Sequence, residues 1–327
     1  MPKFGIVGDQ HMKEIYGHSS DFSDHRIAER EEIEKAIHKA TAKCDCIVLL
    51  GDNLHSRNNT SVTIRNFVRF LEGFGGKRID ILSGNHESGA DGKTALDFLK
   101  EISGKDWHIH TVGGQVREIG DKKILFLPYQ RSIEVFDMIG NDTYEAIFLH
   151  QAISGTMTSS NQLTDTFHEI ILPASAWSKK AKRIFAGHIH RPQDYNENIH
   201  IVGAIMNEDL GEQTDKRVMI WDSEDNTVKS VKLPGRKLVK LVDPKQSDLD
   251  KIKDFEGLVQ IMTEKKLNIP EGMAEAVKVL EMPKTDRKKV NQELTDFSIP
   301  NLLSLYAKER SIPIEELMKG WGLIEGL

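Results

Sequence analysis

The chain has 327 residues, of which 39% are hydrophobic and 29% charged, and its formal net charge is −6. This composition is ordinary for a globular protein, and the length allows one large domain with one or two small additions. The negative net charge gives no general attraction to nucleic acid, although a local basic path is compatible with it.

Three further features bear on where the chain works. No apolar run approaches the roughly 20 residues that span a bilayer. The first residues enter a predicted strand without a signal-peptide pattern, so we expect a cytoplasmic protein with no membrane partner. Cys44 and Cys46 are expected to be reduced, because a disulfide between positions two apart would be strained.

The first part of the chain alternates predicted strands and helices. Apolar runs before Asp9, Asp52 and Asn85 predict buried strands. Helices are predicted over 26–43, 60–72 and 93–102, where apolar residues recur at helical spacing, and 12–25 is a predicted polar loop. Residues 108–129 alternate in polarity like antiparallel strands that turn at Gly120–Asp121.

The next part adds a short helix near 131–139 and strands that end at His150 and before His188. Turn-forming residues predict hairpins at 193–203 and 216–233. Together, the elements of residues 1–233 predict an α/β (α+β) domain in which two mixed β-sheets form a sandwich flanked by helices.

Pro234–Gly235 marks the predicted end of this domain. Residues 234–283 are a predicted small α+β capping domain, with strands at 237–243 and 258–263 and helices at 248–254 and 271–281. Residues 284–327 are a predicted charged linker followed by two short helices that begin at prolines. This apolar tail either packs on its own domain or binds a partner.

Polar side chains follow five of the predicted strands. They are Asp9 and His11, Asp52, Asn85 with His86, His150, and His188 with His190. Ligands of open α/β sheets bind at the carboxyl ends of the strands, so these side chains are expected on one rim. Carboxylates, imidazoles and an amide oxygen suit divalent Mn, Fe or Zn.

In this order, the motifs resemble those of the calcineurin-like metallophosphoesterase superfamily: Asp-X-His, Gly-Asp, Gly-Asn-His-Asp/Glu, His and Gly-His-X-His. The resemblance implies two divalent metals, with Mn²⁺ expected and Mg²⁺, Fe²⁺ or Zn²⁺ as alternatives. It assigns one ion to Asp9, His11, Asp52 and His190, and the other to Asp52, Asn85, His150 and His188. His86 would protonate the leaving oxygen, or alternatively only donate a hydrogen bond beside the metals.

Two stretches, Gly51-Asp-Asn-Leu-His-Ser-Arg57 and Gly187-His-Ile-His-Arg-Pro-Gln193, resemble the SbcD-type nuclease subunit of double-strand-break repair, which some bacteriophages also encode. This implies a 3′→5′ exonuclease on duplex ends and an endonuclease on single strands and hairpins. It also implies a homodimer and a tail that binds an SbcC-type coiled-coil ATPase, in the host cytoplasm if the source is a phage. Glu87 stands where this branch has aspartate, and Asn53 replaces an apolar residue.

The nuclease interpretation has an alternative. A metallophosphatase or phosphodiesterase acting on phosphoproteins or small phosphoesters would use the same metal motifs.

Helix 60–72 also allows two interpretations. It could form the homodimer interface, or its apolar residues could be buried within the monomer.

The candidate DNA contacts are His55, Lys232, Arg236 and Lys237. His55 would contact DNA or position the substrate, unless it is an ordinary loop residue. The three basic residues belong to a stretch, 229–240, that contains no Asp or Glu. They either contact DNA phosphates or line a solvated strand edge, where lysines oppose aggregation.

Overall fold

The computed structural model describes most of the chain up to residue 281. The described ranges are 1–14, 20–89, 93–102, 104–134, 136, 139, 142–159, 162–166, 169–208, 212, 215–252, 257–263, 267–269 and 277–281. The chain divides into two units, Met1–Met262 with Lys266–Leu280 and Thr263–Lys265 with Glu281–Leu327. Nearly all described residues belong to the first unit. The predicted linker and C-terminal helices at 284–327 lie outside the described residues.

The secondary structure is numbered in chain order. The strands are β1 (Lys3–Val7), β2 (Cys46–Leu49), β3 (Arg78–Leu82), β4 (Trp107–His110), β5 (Gln115–Ile119), β6 (Lys122–Leu127), β7 (Tyr144–His150), β8 (Ala152–Ile153), β9 (Ile171–Leu172), β10 (Ala181–Gly187), β11 (Gln193–Asp194), β12 (Ile199–Ile201), β13 (Arg217–Asp222), β14 (Thr227–Lys232), β15 (Lys237–Val242), β16 (Gly257–Thr263) and β17 (Val277–Glu281). The helices are α1 (Ser20–Ala40), α2 (Ser61–Glu72), α3 (Ala174–Trp177) and α4 (Gln246–Lys251), with 3₁₀ turns at Asp97–Glu101 and Thr164–Thr166.

Two mixed sheets of six strands each form the main body. The first has the order β14-β13-β1-β2-β3-β4, with β1 to β4 parallel. The second has the order β11-β12-β10-β7-β6-β5, with β6, β7, β10 and β12 parallel. Because parallel strands end at the same edge, each sheet presents several carboxyl ends on one side.

Aromatic side chains fill the space between the sheets. Phe4 and Trp221 of the first sheet belong to one buried cluster with Phe126, Phe148 and Phe185 of the second. The rings of Phe4 and Trp221 stack with centroids 4.9 Å apart. This shared core confirms the predicted sandwich.

Helices α1 and α2 cover the outer face of the first sheet. Ile33 and Ile37 of α1 and Phe67, Phe70 and Leu71 of α2 are buried there. Thr60 caps α2 by accepting a hydrogen bond from the Thr63 backbone N–H. The predicted helix 60–72 is therefore confirmed, and its largest apolar side chains are buried within the monomer. The homodimer itself stays a prediction.

A separate three-stranded sheet, β15-β16-β17, follows the sandwich. Strands β15 and β16 are parallel, and Leu249 of α4 packs with Val259 and Ile261 in a small core. The strands predicted at 237–243 and 258–263 are confirmed. The helix predicted at 271–281 is wrong over 277–281, where the chain forms β17, while 271–276 lie outside the described residues.

Other boundaries differ from prediction in specific ways. Helix α1 begins at Ser20, so the described residues of the predicted loop 12–25 are partly helical, and 93–102 contains only a 3₁₀ turn. Residues 108–110 are not part of the predicted antiparallel meander, because they belong to β4, which pairs parallel to β3 in the first sheet. The β5–β6 hairpin and the later hairpins β11–β12 and β13–β14 are confirmed.

Cys44 and Cys46 are buried free thiols, as predicted. Across the described ranges, no helix combines the length and apolarity that a membrane crossing needs.

Candidate metal centre

Loops at the ends of five strands carry the predicted ligands to one rim. Asp9 and His11 follow β1, Asp52 follows β2, Asn85 follows β3, His150 ends β7, and His188 and His190 follow β10. Three of these residues have left-handed backbones, with φ of 45° at His11, 46° at Asp52 and 81° at His188. Such conformations are costly for residues with a Cβ and concentrate at functional sites.

Asp9, His11 and His190 form one group of donor atoms, named here the His190 side. Their donor atoms lie within 4.8 Å of one another. The Nε2 atoms of His11 and His190 are 2.8 Å apart, and His190 Nε2 is 3.9 Å from Asp9 Oδ2. All three side chains are thus near enough to share one cation.

Asp52, Asn85, His150 and His188 form the second group, named here the His188 side. His150 Nε2 lies 3.4 Å from Asp52 Oδ2 and 3.1 Å from Asn85 Oδ1. His188 Nδ1 lies 2.9 Å from the same Asn85 oxygen. Asp52 Oδ2 is also 3.7 Å from His11 Nε2, so this carboxylate faces both sides.

Three of the histidine rings are held from outside the cluster. His150 Nδ1 donates to the Leu50 carbonyl at 2.7 Å, and His188 Nε2 lies 2.7 Å from Glu169 Oε1. His190 Nδ1 lies 3.1 Å from Glu212 Oε1. In each ring the other nitrogen faces the cluster, the arrangement found in metal-binding histidines. The donor set therefore fits a pair of divalent cations.

Charge within the cluster concentrates on Asp52. Burial opposes ionisation of Asp52, but the charge and hydrogen bond of His150, and the charge of His11, outweigh it and lower its pKa. Burial alone would lower the pKa of His150, but the charge and hydrogen bond of Asp52 raise it to about 9. Burial raises the pKa of Asp9 and strongly lowers that of His11. The carboxylate between the two sides is thus the one whose ionisation is most favoured.

His86 lies beside this cluster. Its backbone N–H donates to Asp52 Oδ1 at 2.9 Å, and its ring Nδ1 donates to the His55 carbonyl at 2.7 Å. Its Nε2 is 3.9 Å from Asp52 Oδ2, and 37% of the side chain is exposed. The ring therefore directs one nitrogen toward the cluster while remaining open to solvent.

Glu87 joins the loops that follow β2 and β3, a role that the sequence did not predict. Its side chain is buried and accepts hydrogen bonds from the N–H groups of Gly84 at 2.7 Å and Leu54 at 2.8 Å. Burial, with a smaller effect from the charge of Asp52, raises the pKa of Glu87 to about 8. Its contacts place this residue behind the cluster, holding the two loops together.

Glycines make room for the ligands. Gly51 has φ of +105°, which a residue with a Cβ would adopt only with strain. A Cβ added to Gly84 would lie 2.1 Å from Asp52 Oδ1 and 2.3 Å from the Asp52 nitrogen. The loops after β2 and β3 can therefore approach this closely only with glycine at position 84.

Glu169 and Glu212 were not predicted as site residues. Glu169 lies between β8 and β9, and Glu212 lies between β12 and β13. Neither follows a strand in a recognisable motif. The only sequence signal was the i, i+4 spacing of Glu212 and Lys216, which is common on protein surfaces.

The DNA-contact candidates divide into two sets. The ring of His55 lies 5.5 Å from that of His86, beside the cluster. Lys232 pairs with Asp215 at 2.8 Å, and the Arg236 backbone N–H donates to Glu29 of α1 at 2.6 Å. Lys237 begins β15, and its side chain lies outside the described residues. Lys232 thus pairs with an exposed carboxylate, whereas the Arg236 backbone contacts a buried one.

No family model matches the chain, and no curated protein matches it significantly. Among solved structures, it is similar to an archaeal phosphodiesterase, at 15% identity and a TM-score of 0.38, over 71% of this chain and 99% of that one. A protein of Thermus thermophilus is similar at 10% identity and a TM-score of 0.38, over 71% and 99% of the two chains. A predicted phosphoesterase of Streptococcus pneumoniae is similar at 13% identity and a TM-score of 0.28, over 71% and 97%.

Proposed function

We propose that the chain is a two-metal phosphodiester hydrolase of the calcineurin-like metallophosphoesterase superfamily, and specifically an SbcD-type DNA nuclease subunit. One observation carries the hydrolase proposal. Seven side chains from five strand ends form two groups of donor atoms that share Asp52. A shared carboxylate suits two cations because it offsets their mutual repulsion.

In this proposal, Asp9, His11 and His190 hold one ion, Asn85, His150 and His188 hold the other, and Asp52 contacts both. When bound, the ions would activate a water molecule and offset the charge on the phosphoryl oxygens. The chain itself positions the phosphoester, since the two sides lie on one rim where a single phosphate reaches both. Manganese is the proposed native metal because the sequence resemblance implies it, and the mixed carboxylate, amide and imidazole donors suit it as they suit iron and zinc.

His86 is the proposed general acid. Its Nδ1 proton is committed to the His55 carbonyl, so Nε2 is the atom that exchanges a proton with the substrate. Nε2 faces Asp52 at 3.9 Å, and the ring is partly exposed, so a leaving oxygen bound at the rim is within its reach. A positioned histidine in this role contributes a rate factor of ~10²–10⁴.

The DNA substrate is supported by the surroundings of His86. His55, which the nuclease motif supplies three positions after Asp52, holds the His86 ring through its carbonyl and places its own ring beside it. A long duplex or single strand would extend past this open edge of the site. We propose that His55 contacts the strand next to the scissile phosphate, whereas Lys232, Arg236 and Lys237 contact DNA farther from the site.

The test is DNA hydrolysis by the metal-free protein after addition of Mn²⁺. Linear duplex DNA should be degraded, and Asp52→Asn and His150→Ala should be inactive. His108→Ala is the matched control, because His108 is partly exposed and pairs with Asp106 outside the site. Rapid hydrolysis of a simple phosphomonoester with DNA left intact would overturn the nuclease proposal and favour the alternative phosphatase function.

The proposed partner is an SbcC-type coiled-coil ATPase bound through the tail, and the proposed assembly is a homodimer. Both proposals rest on the sequence resemblance, since 284–327 lie outside the described residues. Deletion of 299–327 should abolish capture of such an ATPase and leave nuclease activity intact. Capture that survives the deletion would place the binding site elsewhere.

A further inference from the structure

We infer that Glu212 and Lys216 are positioning residues that hold the His190 ring with its Nε2 directed at the His190 side of the centre. This inference rests on the proposed function, in which His190 binds a metal ion. It assigns a role to two residues that lie outside every motif at the strand ends.

The contacts form a closed ring of hydrogen bonds. His190 Nδ1 donates to Glu212 Oε1 at 3.1 Å, and Lys216 Nζ donates to Glu212 Oε2 at 2.5 Å. Lys216 Nζ also donates to the backbone carbonyl of His190 at 3.0 Å. Both the ring and the backbone of His190 are therefore tied to the same ion pair.

Burial makes this ion pair rigid. The Glu212 side chain is 0% exposed and that of Lys216 is 4% exposed. A buried carboxylate or ammonium is costly unless it is paired and hydrogen-bonded, so neither group can leave its partner without a large penalty. Although burial opposes ionisation of Glu212, its hydrogen bond with His190 and the charge of Lys216 lower its pKa.

The bond from Nδ1 decides what Nε2 can do. A carboxylate only accepts, so His190 Nδ1 carries the proton and, in the neutral ring, Nε2 keeps its lone pair. Nε2 lies 2.8 Å from His11 Nε2 and 3.9 Å from Asp9 Oδ2, where the lone pair faces the other donors. Glu212 thus selects the tautomer that can bind a metal.

The anchor also connects the two sheets at the rim. Lys216 immediately precedes β13, which pairs with β1 in the first sheet. His190 follows β10 of the second sheet. These hydrogen bonds therefore connect His190, which follows a strand of one sheet, to Lys216, which directly precedes a strand of the other.

The experiment compares Glu212→Ala and Glu212→Gln with the unmodified full chain. Long-range ¹⁵N–¹H NMR of metal-free protein, read at the alkaline end of a pH series, should find His190 protonated at Nδ1. Glu212→Ala should lose this preference. Calorimetric titration with Mn²⁺ should find one of the two ions bound ~10–100-fold more weakly. Glu212→Gln keeps an oxygen that can accept from His190 Nδ1. It should therefore retain part of the tautomer preference and part of the Mn²⁺ affinity.

Glu29→Gln is the control, because Glu29 is likewise buried and paired with Arg26 but contacts no predicted ligand. It should leave the His190 tautomer and Mn²⁺ affinity unchanged. Unchanged tautomer and affinity in folded Glu212→Ala would overturn the inference. A wild-type chain that binds no Mn²⁺ would instead overturn the proposed function. The tautomer measurement would still test the hydrogen bonds that join His190, Glu212 and Lys216.

Discussion

The two sides of the centre differ in how their second histidine is anchored. On the His190 side, the supporting Glu212 is 0% exposed and paired with Lys216. On the His188 side, the supporting Glu169 is 20% exposed, and besides contacting His188 it accepts from the Tyr129 hydroxyl at 3.4 Å. The histidine side chains show the opposite difference in exposure, since 23% of His190 and 11% of His188 is exposed.

Two similar carboxylate–histidine contacts can therefore differ in strength. A buried, paired carboxylate keeps its position because leaving it unpaired is expensive. A partly exposed carboxylate can exchange its histidine for water at little cost. We therefore expect the His190 side to be the rigid part of the centre and the His188 side to adjust when ligands bind.

Removing the group common to both sides should have the largest effect. Asp52→Asn removes the shared negative charge, so we expect both Mn²⁺ ions to be lost and DNA hydrolysis to fall to background. Metal analysis of dialysed protein and the nuclease assay measure these effects. Asp106→Asn, an exposed change outside the centre, is the control. Retention of one tightly bound ion in Asp52→Asn would place Asp52 on one side only.

His86 should belong to neither side. His86→Ala is expected to reduce turnover by ~10²–10⁴, because the proton donor is lost, while both ions remain bound. Turnover on duplex DNA and the Mn²⁺ content of the same sample separate the two effects. If the variant lost an ion, His86 would be a ligand and the proposed proton transfer would be wrong.

The two anchors should differ in direct comparison. Glu169→Gln is expected to weaken Mn²⁺ binding less than about fivefold, since a partly exposed ion pair contributes ~0–1 kcal/mol. The loss should be smaller than that of Glu212→Gln measured by the same calorimetric titration. Equal losses in the two variants would remove the distinction between the rigid and the adjustable side.

The smallest effect is expected at Tyr129. Tyr129→Phe removes a hydroxyl that donates to Glu169 at 3.4 Å, a long contact, so we expect a change in Mn²⁺ affinity of about twofold or less. The thermal midpoint of the metal-free variant serves as a control for folding. A larger loss of affinity would mean that Tyr129 orders Glu169, and the His188 side would then be better anchored than its exposure indicates.

The sequence predicted that the seven candidate ligands lie close together, because their convergence follows from a simple geometric rule. Parallel strands such as β1, β2 and β3 end at one edge, so residues that directly follow them must converge. Glu169 and Glu212 follow no such rule. Their positions depend on how long irregular segments fold back onto the rim, which no local spacing encodes.

The fold errors have a similar cause. Residues 271–281 contain alanine and glutamate, which favour helix, yet 277–281 form β17 because an adjacent strand offers pairing. The alternation of residues 108–110 predicts part of a meander, but these residues pair parallel to β3 as part of β4. In both places, contacts with distant parts of the chain outweigh local preference.

The close approach of Gly84 to Asp52 has a consequence for genetics. A single methyl group at position 84 would force the two loops apart, because it would overlap the carboxylate that both ions are proposed to share. Loss-of-function alleles at this rim therefore need not alter any polar side chain. A screen for inactive variants should recover Gly84→Ala, a conservative exchange by chemistry, together with changes at the ligands themselves.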